Sequence, residues 1–473
     1  MESPYNAVAV ALSLPELVSV ILGCYFSGLE WRQPGDRPNS AAALRVNSLW
    51  FDCGIGHLWS DPNACAYLLE VSRKRRQIYA SKMEYMSVWF PRDYGPWSVF
   101  DGLEFPRLKH FATTIPFNTP SDELEMEHFY VRTLQRFEFD GPLVSADLLR
   151  LLQDSCPNLK NVEFHTYKHP AATAPFAEFI RNMRHLETFI FKTAGFATNA
   201  TRFIDGDLVL SLASRDSLTK LQVPWDWSTD AADSAARRLE DLGTNLDIKP
   251  FPALMKLTLC ARQNVMRTLA PMLGNLSSLR LMINAPVAGA LEPLRELVNL
   301  TSLEVTFRRS VNIPGHSLTG LAALSKLESL ELRPLHPVWT RVTSSFSDAD
   351  LELVAAHWPR LRSFGLFIKT AVSGAGFRAL ARHCRELRRW EMWGPLQVDE
   401  LLAQGYGGVV LFPELEHLRL EGFAGVDYTM GSSWVGSLYF QRLLEYHFPR
   451  LRELITPHCQ IQLSEHAFTE SML

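Results

Sequence analysis

The 473-residue chain reads as an α/β solenoid: stacked repeats, each giving one strand to a parallel sheet and returning through a helix on the other side. Three observations predict this. The first is the phrase L-x-x-L-x-L. It is complete at Leu254-Leu257-Leu259, Leu276-Leu279-Leu281, Leu327-Leu330-Leu332 and Leu415-Leu418-Leu420, and Val305 closes the copy that starts at Leu300. Its last two apolar positions are two apart and share one face of a strand; the first sits where the chain turns into that strand. The second observation is recurrence. Aromatic or valine variants start at Leu134, Leu159, Leu186, Leu218, Leu361 and Leu387. Weaker ones start at Leu108 and Leu451, with Thr113 and Thr456 in the last position, and a degenerate one starts at Met83. The third is the period. Successive copies start between 22 residues (Leu254 to Leu276) and 36 residues (Leu218 to Leu254) apart. No single copy of that size buries its apolar face alone, so the copies must stack.

That period is close to the period of leucine-rich repeats. The expected arrangement puts the strands on a concave face and the helices on a convex one. A solenoid also escapes the size limit of a single core, because each repeat contacts only its neighbours. With 47% hydrophobic and 21% charged residues the composition is that of a globular protein. A formal charge of −4 does not suggest a general nucleic-acid binder. No run of about 18 apolar residues exists, so no membrane span is expected. The segment Ala7–Leu14 lacks a basic start and meets Pro15, which argues against a signal peptide. The seven Cys are scattered with no C-x-x-C pair, consistent with reduced thiols in the cytosol or nucleus.

Residues 1–62 lack the repeat. Pro15 suits the first turn of a helix, where Leu14, Leu17, Ile21 and Leu22 fall at helical spacing. Residues 28–40 read as a loop, and Leu44, Val46, Leu49 and Trp50 suit a second helix. Three phrases stand in order: Leu14-Pro15-Glu16-Leu17, Val46-Asn47-Ser48-Leu49-Trp50 and Leu58-Trp59. This segment resembles an F-box in the form common in fungal proteins. F-box proteins with leucine-rich repeats are substrate-recognition subunits of cullin–RING ubiquitin ligases. The resemblance implies that Leu14, Pro15, Leu17, Ile21, Leu49, Trp50 and Trp59 bind a Skp-type adaptor, and through it a cullin, or support the fold that does. It further implies that the repeats hold a target protein and that the chain itself is not an enzyme. The residues alone also fit a plain helical cap on the first repeat of an interaction scaffold. Exposure separates the two: a cap buries this apolar face, a docking module presents it.

Residues 63–82 read as a connecting helix with the basic run Arg73-Lys74-Arg75-Arg76, more simply a solvated face than an address signal. Residues 83–473 form the repeat domain. Ser145 and Ser347 suit helix N-caps, the latter with Asp350 three residues on. Long spacings at Ala194–Ser217, Trp225–Lys249, Pro334–Ser347 and Glu421–Phe448 imply inserted loops.

The phrase Gly374-Ala375-Gly376 resembles a dinucleotide loop, but it opens one of the repeat helices. With no phosphate-loop, G-x-S-x-G or H-E-x-x-H motif, no cofactor, metal or catalytic residue is expected. Asn199, Asn275 and Asn299 match the three-residue glycosylation pattern, which is common by chance. The residues flanking the apolar strand positions face the ladder surface. There Arg333, Phe367, Arg389, Trp393, His417 and Arg419 bring together Arg and aromatic types that carry interface energy. They are the expected contacts to a protein substrate.

Overall fold

A computed structural model describes residues 9–10, 12–27, 45–58, 68, 71–89, 100–116, 126–167, 174–193, 206–227, 230, 232–234, 237, 250–261, 263–284, 289–336, 340–397, 410–424, 446–456 and 459–462. The chain divides into two compact units, Met1–Thr198 and Asn199–Leu473.

The first unit begins with two helices, α1 (Pro15–Ser27) and α2 (Ser48–Leu58), which pack on each other. Pro15 opens α1, where the missing N–H costs nothing, and the Leu14 carbonyl accepts from the Val18 amide at 3.0 Å. The second helix starts later than its apolar spacing suggests. The Asn47 side chain accepts from the Trp50 amide at 2.9 Å and caps the helix. Val46 therefore lies ahead of the helix, 57% exposed, and Leu44 lies outside the described residues. A third helix, α3 (Arg73–Ala80), is what the structure describes of the expected connector over 63–82. Its basic run occupies the first turn, and Arg73, Lys74 and Arg75 are exposed. Phe51 of α2 meets Tyr79 of α3 with ring centroids 6.4 Å apart.

Five parallel strands follow in the first unit: β1 (Tyr85–Trp89), β2 (His110–Thr114), β3 (Arg136–Gly141), β4 (Asn161–Thr166) and β5 (Thr188–Thr193). The degenerate copy at Met83 is therefore a repeat, with Met83 and Met86 fully buried. Helices α4 (Ala146–Ser155) and α5 (Ala174–Asn182) stack on each other along this unit. Aromatics fill the space between: Phe111 stacks on Phe129 at 4.6 Å, and Phe164 touches Phe137, Phe179 and Phe189 within 6.3 Å.

The second unit continues the plan. Its sheet carries β6 (Lys220–Trp227), β7 (Lys256–Ala261), β8 (Ser278–Ile283), β9 (Ser302–Phe307), β11 (Ser329–Pro334), β13 (Ser363–Leu366), β15 (Arg389–Gln397), β16 (His417–Ala424) and β17 (Glu453–Thr456), all parallel. The last strand, β18 (Cys459–Gln462), pairs antiparallel with β17.

One hydrogen-bond device repeats through both units and explains the spacing of the phrase. The first Leu amide bonds the carbonyl three residues earlier, as at Leu134 to Val131 (3.0 Å) and Leu361 to Trp358 (3.1 Å). The next two amides both reach one carbonyl of the preceding repeat: Lys160 and Asn161 to Gln135, Glu328 and Ser329 to Thr301, Arg388 and Arg389 to Arg362. The first Leu thus sits in a tight turn, wholly buried at Leu108, Leu134, Leu159, Leu327 and Leu361, while the amides behind it staple the repeats together. Asn158, Asn275 and Asn299 add a side-chain staple. Their amide nitrogens donate to the carbonyls of Arg132, Pro252 and Gly274 at 2.7–2.9 Å. At Asn275 and Asn299 this use of the amide explains the Asn without glycosylation; Asn199 lies outside the described residues.

The expected loop over Pro334–Ser347 is corrected by the structure. A second, three-stranded parallel sheet runs through β10 (Val311–Ile313), β12 (Val342–Ser347) and β14 (Lys369–Ala371). Three successive repeats each hold a second strand, stitched by Thr343 to Asn312 at 3.1 Å and Ser344 to the Ile313 carbonyl at 2.6 Å. Two other expected loops are also partly regular. Helix α6 (Gly206–Ala213) lies within 194–217, and Trp225 and Trp227 extend β6. Residues 238–249 and 425–445 lie outside the described residues.

The return helices of the second unit are α7 (Gln263–Leu269), α8 (Gly315–Thr319), α9 (Asp348–Ala355) and α10 (Gly374–His383). Ser347 and Asp350 form a reciprocal capping box on α9, and Ser145 caps α4 by accepting from Leu148 at 3.1 Å.

Candidate functional site

Two surfaces gather the residues singled out by sequence. The first is the outer face of α1. Leu14, Leu17 and Ile21 are each 44% exposed, and Val20 is 62% exposed. Val18 and Leu22, on the adjoining face, are buried with Ile55 of α2. Leu22 therefore leaves the stripe in which its spacing placed it, because α2 covers that edge of the helix. Pro15 is exposed, and its carbonyl lies 3.5 Å from the Cys53 thiol. Leu49 and Trp50, at the start of α2, are half-buried. Trp59 lies outside the described residues. The result is a small helical module with one apolar face inside and another open.

The second surface is the ladder face of the second unit. The strand register places Arg280, Glu304, Glu331, Gly365, Glu391 and Arg419 in one row across adjacent strands. Glu304 accepts from Arg280 and Arg333, both at 2.5 Å. Arg333 also lies 3.3 Å from Glu331. Glu391 takes Arg389 on one oxygen and Arg419, at 3.6 Å, on the other. Burial first, and then the Glu304 and Glu391 carboxylates against the opposing pull of Arg333, pushes the Glu331 carboxyl above its ordinary range. A side chain at Gly365 would crowd its neighbours in the row. A Cβ there would stand 3.0 Å from Glu331 Cγ and 3.2 Å from the Phe367 ring.

The aromatic part lies beside these charges. Phe367 meets Trp393 edge-on, with centroids 6.4 Å apart at 89°. The Arg419 guanidinium stands 6.0 Å over the Phe367 ring. His417 pairs with Glu453 at 3.1 Å. Five of the six expected contact residues are thus linked through Glu304, Glu331, Glu391 and the two rings; His417 stands beside them on its own partner. The structure adds Glu304, Glu391 and Gly365, which sequence reasoning passed over as contacts. Their signal was present: they occupy the middle x of the L-x-L strands, the position that faces out in the same row as Arg280 and Arg419.

The first unit's ladder face is different in kind. Glu138 accepts from His110 at 3.1 Å and Arg136 at 2.6 Å, and Arg136 also reaches Glu163 at 3.2 Å. The hydrogen bond from His110 is the largest influence holding the Glu138 carboxyl below its ordinary range, outweighing burial with the help of Arg136.

Gly374 and Gly376 open α10 as expected, but the helix start is already filled. The Asp348 carboxylate accepts from the Ser373 amide (2.7 Å), the Ser373 hydroxyl (2.6 Å) and the Gly376 amide (2.9 Å). A Cβ on Gly376 would lie 2.5 Å from Asp348. The glycine admits a neighbouring carboxylate rather than a phosphate. Among the described residues, no group of three or more His, Cys, Asp or Glu is placed to hold a metal ion.

No protein-family model matches the chain, and no curated protein matches it. Solved structures do. The yeast Rad7 and Elc1 complex aligns over 89% of this chain and 94% of the other at 14% identity, with a TM-score of 0.41. An internalin, inlF of Listeria monocytogenes, aligns over 71% of this chain and 96% of the other at 15% identity, TM-score 0.37. The PEPR1–AtPEP1 structure aligns over 72% of this chain and 42% of the other at 15% identity, TM-score 0.35. The chain's own stapled parallel strands and helical returns make it a leucine-rich-repeat fold.

Proposed function

We propose that the chain is a substrate-recognition subunit of a cullin–RING ubiquitin ligase, with residues 1–62 acting as an F-box-like module and the repeats holding a target protein. The observation that carries this reading is the open stripe of Leu14, Leu17, Val20 and Ile21 beside the buried Val18 and Leu22. Covering an apolar side chain of this size is worth about 1.5–3 kcal/mol, so a helix used only as a cap would turn such a stripe inward. An uncovered one, rimmed by the polar Glu16 and Ser19, suits a partner helix or groove. A Skp-type adaptor is that partner, and a cullin follows through it.

The mechanism is proximity. The module fixes the chain to the ligase, and the target bound on the repeats is held at high effective concentration near the transferred ubiquitin. The chain contributes binding and orientation, and catalysis belongs to its partners. The Arg333, Phe367, Arg389, Trp393, His417 and Arg419 surface is assigned to the target, because its aromatic pair and half-exposed arginines suit a protein interface. The compartment in this reading is cytoplasmic, nuclear or both.

The test is co-purification of the tagged chain from its native cell, with and without residues 1–61. Recovery of a Skp-type adaptor and a cullin with the full chain alone supports the reading. Their absence from both samples returns the module to the role of a cap on an interaction scaffold.

A further inference from the structure

The turn edge of the repeats in the first unit carries a groove that neither the helical module nor the ladder face uses. It is an open hollow of about 590 Å³. Its walls are two parallel rows set by the repeat itself. Arg107, Thr133, Asn158 and His185 each precede the first Leu of a copy, and Lys109, Gln135 and Lys160 each follow it. At the ~4.8 Å spacing of adjacent strands, Lys109 and Lys160 stand roughly 10 Å apart along the groove. The neutral members of the rows are tied down: Thr133 donates to the Leu108 carbonyl at 2.8 Å and Asn158 to the Arg132 carbonyl at 2.9 Å. Of the charged members, Lys109 and Lys160 are ion-paired at the surface and Arg107 and His185 are not. Lys109 and Lys160 hold only the half-exposed Glu84 (2.8 Å) and Glu187 (2.9 Å), surface pairs that exchange readily with an outside carboxylate. Arg107 and His185 are exposed and have no polar partner among the described residues. Arg132 and Arg184, also exposed, stand one residue before Thr133 and His185.

In the second unit the same two columns are neutral at the copies starting at Leu254, Leu276 and Leu300 and mix both signs beyond them, with Lys326, Arg360, Arg388 and Arg452 among Glu328, Glu386, Glu414 and Glu416. Ala253, Asn275 and Asn299 precede the Leu, and Met255, Ser277 and Thr301 follow it. Farther on, Arg362 is matched by Glu328 and Glu386, and Arg450 by Glu414.

We propose that this groove binds an extended acidic peptide segment, its carboxylates engaging Lys109, Lys160 and Arg107 along the two rows. The rows run across three to four repeats, so the ligand lies across the strands. The cations alternate with Thr, Gln and Asn, which suits spaced carboxylates on an extended backbone. A nucleic acid fits less well, because the walls offer no Phe, Tyr or Trp for a base to stack on. The proposal is independent of adaptor binding.

The experiment is fluorescence anisotropy on the full chain with a labelled octaglutamate, an octaglutamine and a single-stranded oligonucleotide of similar length. The variants are Arg107→Ala with Lys160→Ala, and Arg450→Ala as a control on the second unit; thermal melting confirms that each folds. Octaglutamate binding weaker by about tenfold or more in the double variant, unchanged in the control and absent with octaglutamine is the expected result. Octaglutamate binding no better than octaglutamine, or unaffected by the double change, overturns it. So does an oligonucleotide that binds as tightly with the same dependence on Arg107 and Lys160.

Discussion

Asp348 does at the scale of one residue what a bound anion would otherwise do. Its carboxylate satisfies three donors at the start of α10, and Gly376 leaves room for it. Asp348→Ala should cost about 1–3 kcal/mol in urea unfolding, and Gly376→Ala should destabilise through the close approach to Asp348 and Val372. The glycine phrase was visible in the sequence, but Asp348 lies 28 residues before Gly376, in the preceding repeat, so the reason for the glycine was not.

Buried thiols make a second residue-scale prediction. Burial pushes Cys156 and Cys384 up to about 12. A raised thiol favours the folded state below its ordinary value of 9.0, and that contribution is lost as pH rises from 9.0 toward 12. Stability should therefore fall over that window, and replacing either Cys by Ala should shrink the fall. Alkylation of the native protein near neutral pH should mark the exposed Cys24 and spare Cys156 and Cys384.

Elements differ in how plainly their sequences announced them. α1 was legible because Pro15 sets its start and its apolar residues fall at helical spacing. Its two faces were not separable, since only the packing of α2 decides that Leu22 goes in and Ile21 stays out. The start of α2 was misplaced because apolar spacing outweighed Asn47, whose side chain caps the helix. The second sheet was hidden for a different reason. Val311–Ile313 and Lys369–Ala371 are three residues each, too short for alternation to register. At this scale Leu17→Glu with Ile21→Glu should change the unfolding free energy by less than about 1 kcal/mol, since both side chains face solvent. Leu22→Ala, in contrast, should cost about 2–5 kcal/mol as a core truncation. Denaturant titration of the three proteins side by side checks both.

Across the whole molecule the repeat phrase carried the fold, because a staple that recurs at each repeat boundary imprints the same spacing each time. The candidate binding surfaces were legible only as positions. Charge pairs such as Arg280–Glu304 and Arg333–Glu304 join residues 24 and 29 apart, and only the register of the strands brings them together. The two proposed binding surfaces belong to different units and share no residue, so the effects of changing them should add. Arg389→Ala with Trp393→Ala should lose the target while adaptor binding persists, read by capturing each partner separately on the same variant.

Whether the open face of α1 is a docking surface decides the proposed function. The direct measurement is binding of a purified Skp-type adaptor to the full chain and to its Leu17→Glu, Ile21→Glu variant, with thermal melting of both. The expected result is adaptor binding by the parent chain, its loss in the variant and superimposable melts. Adaptor binding that survives the double change, or a parent chain that never binds the adaptor, would contradict it.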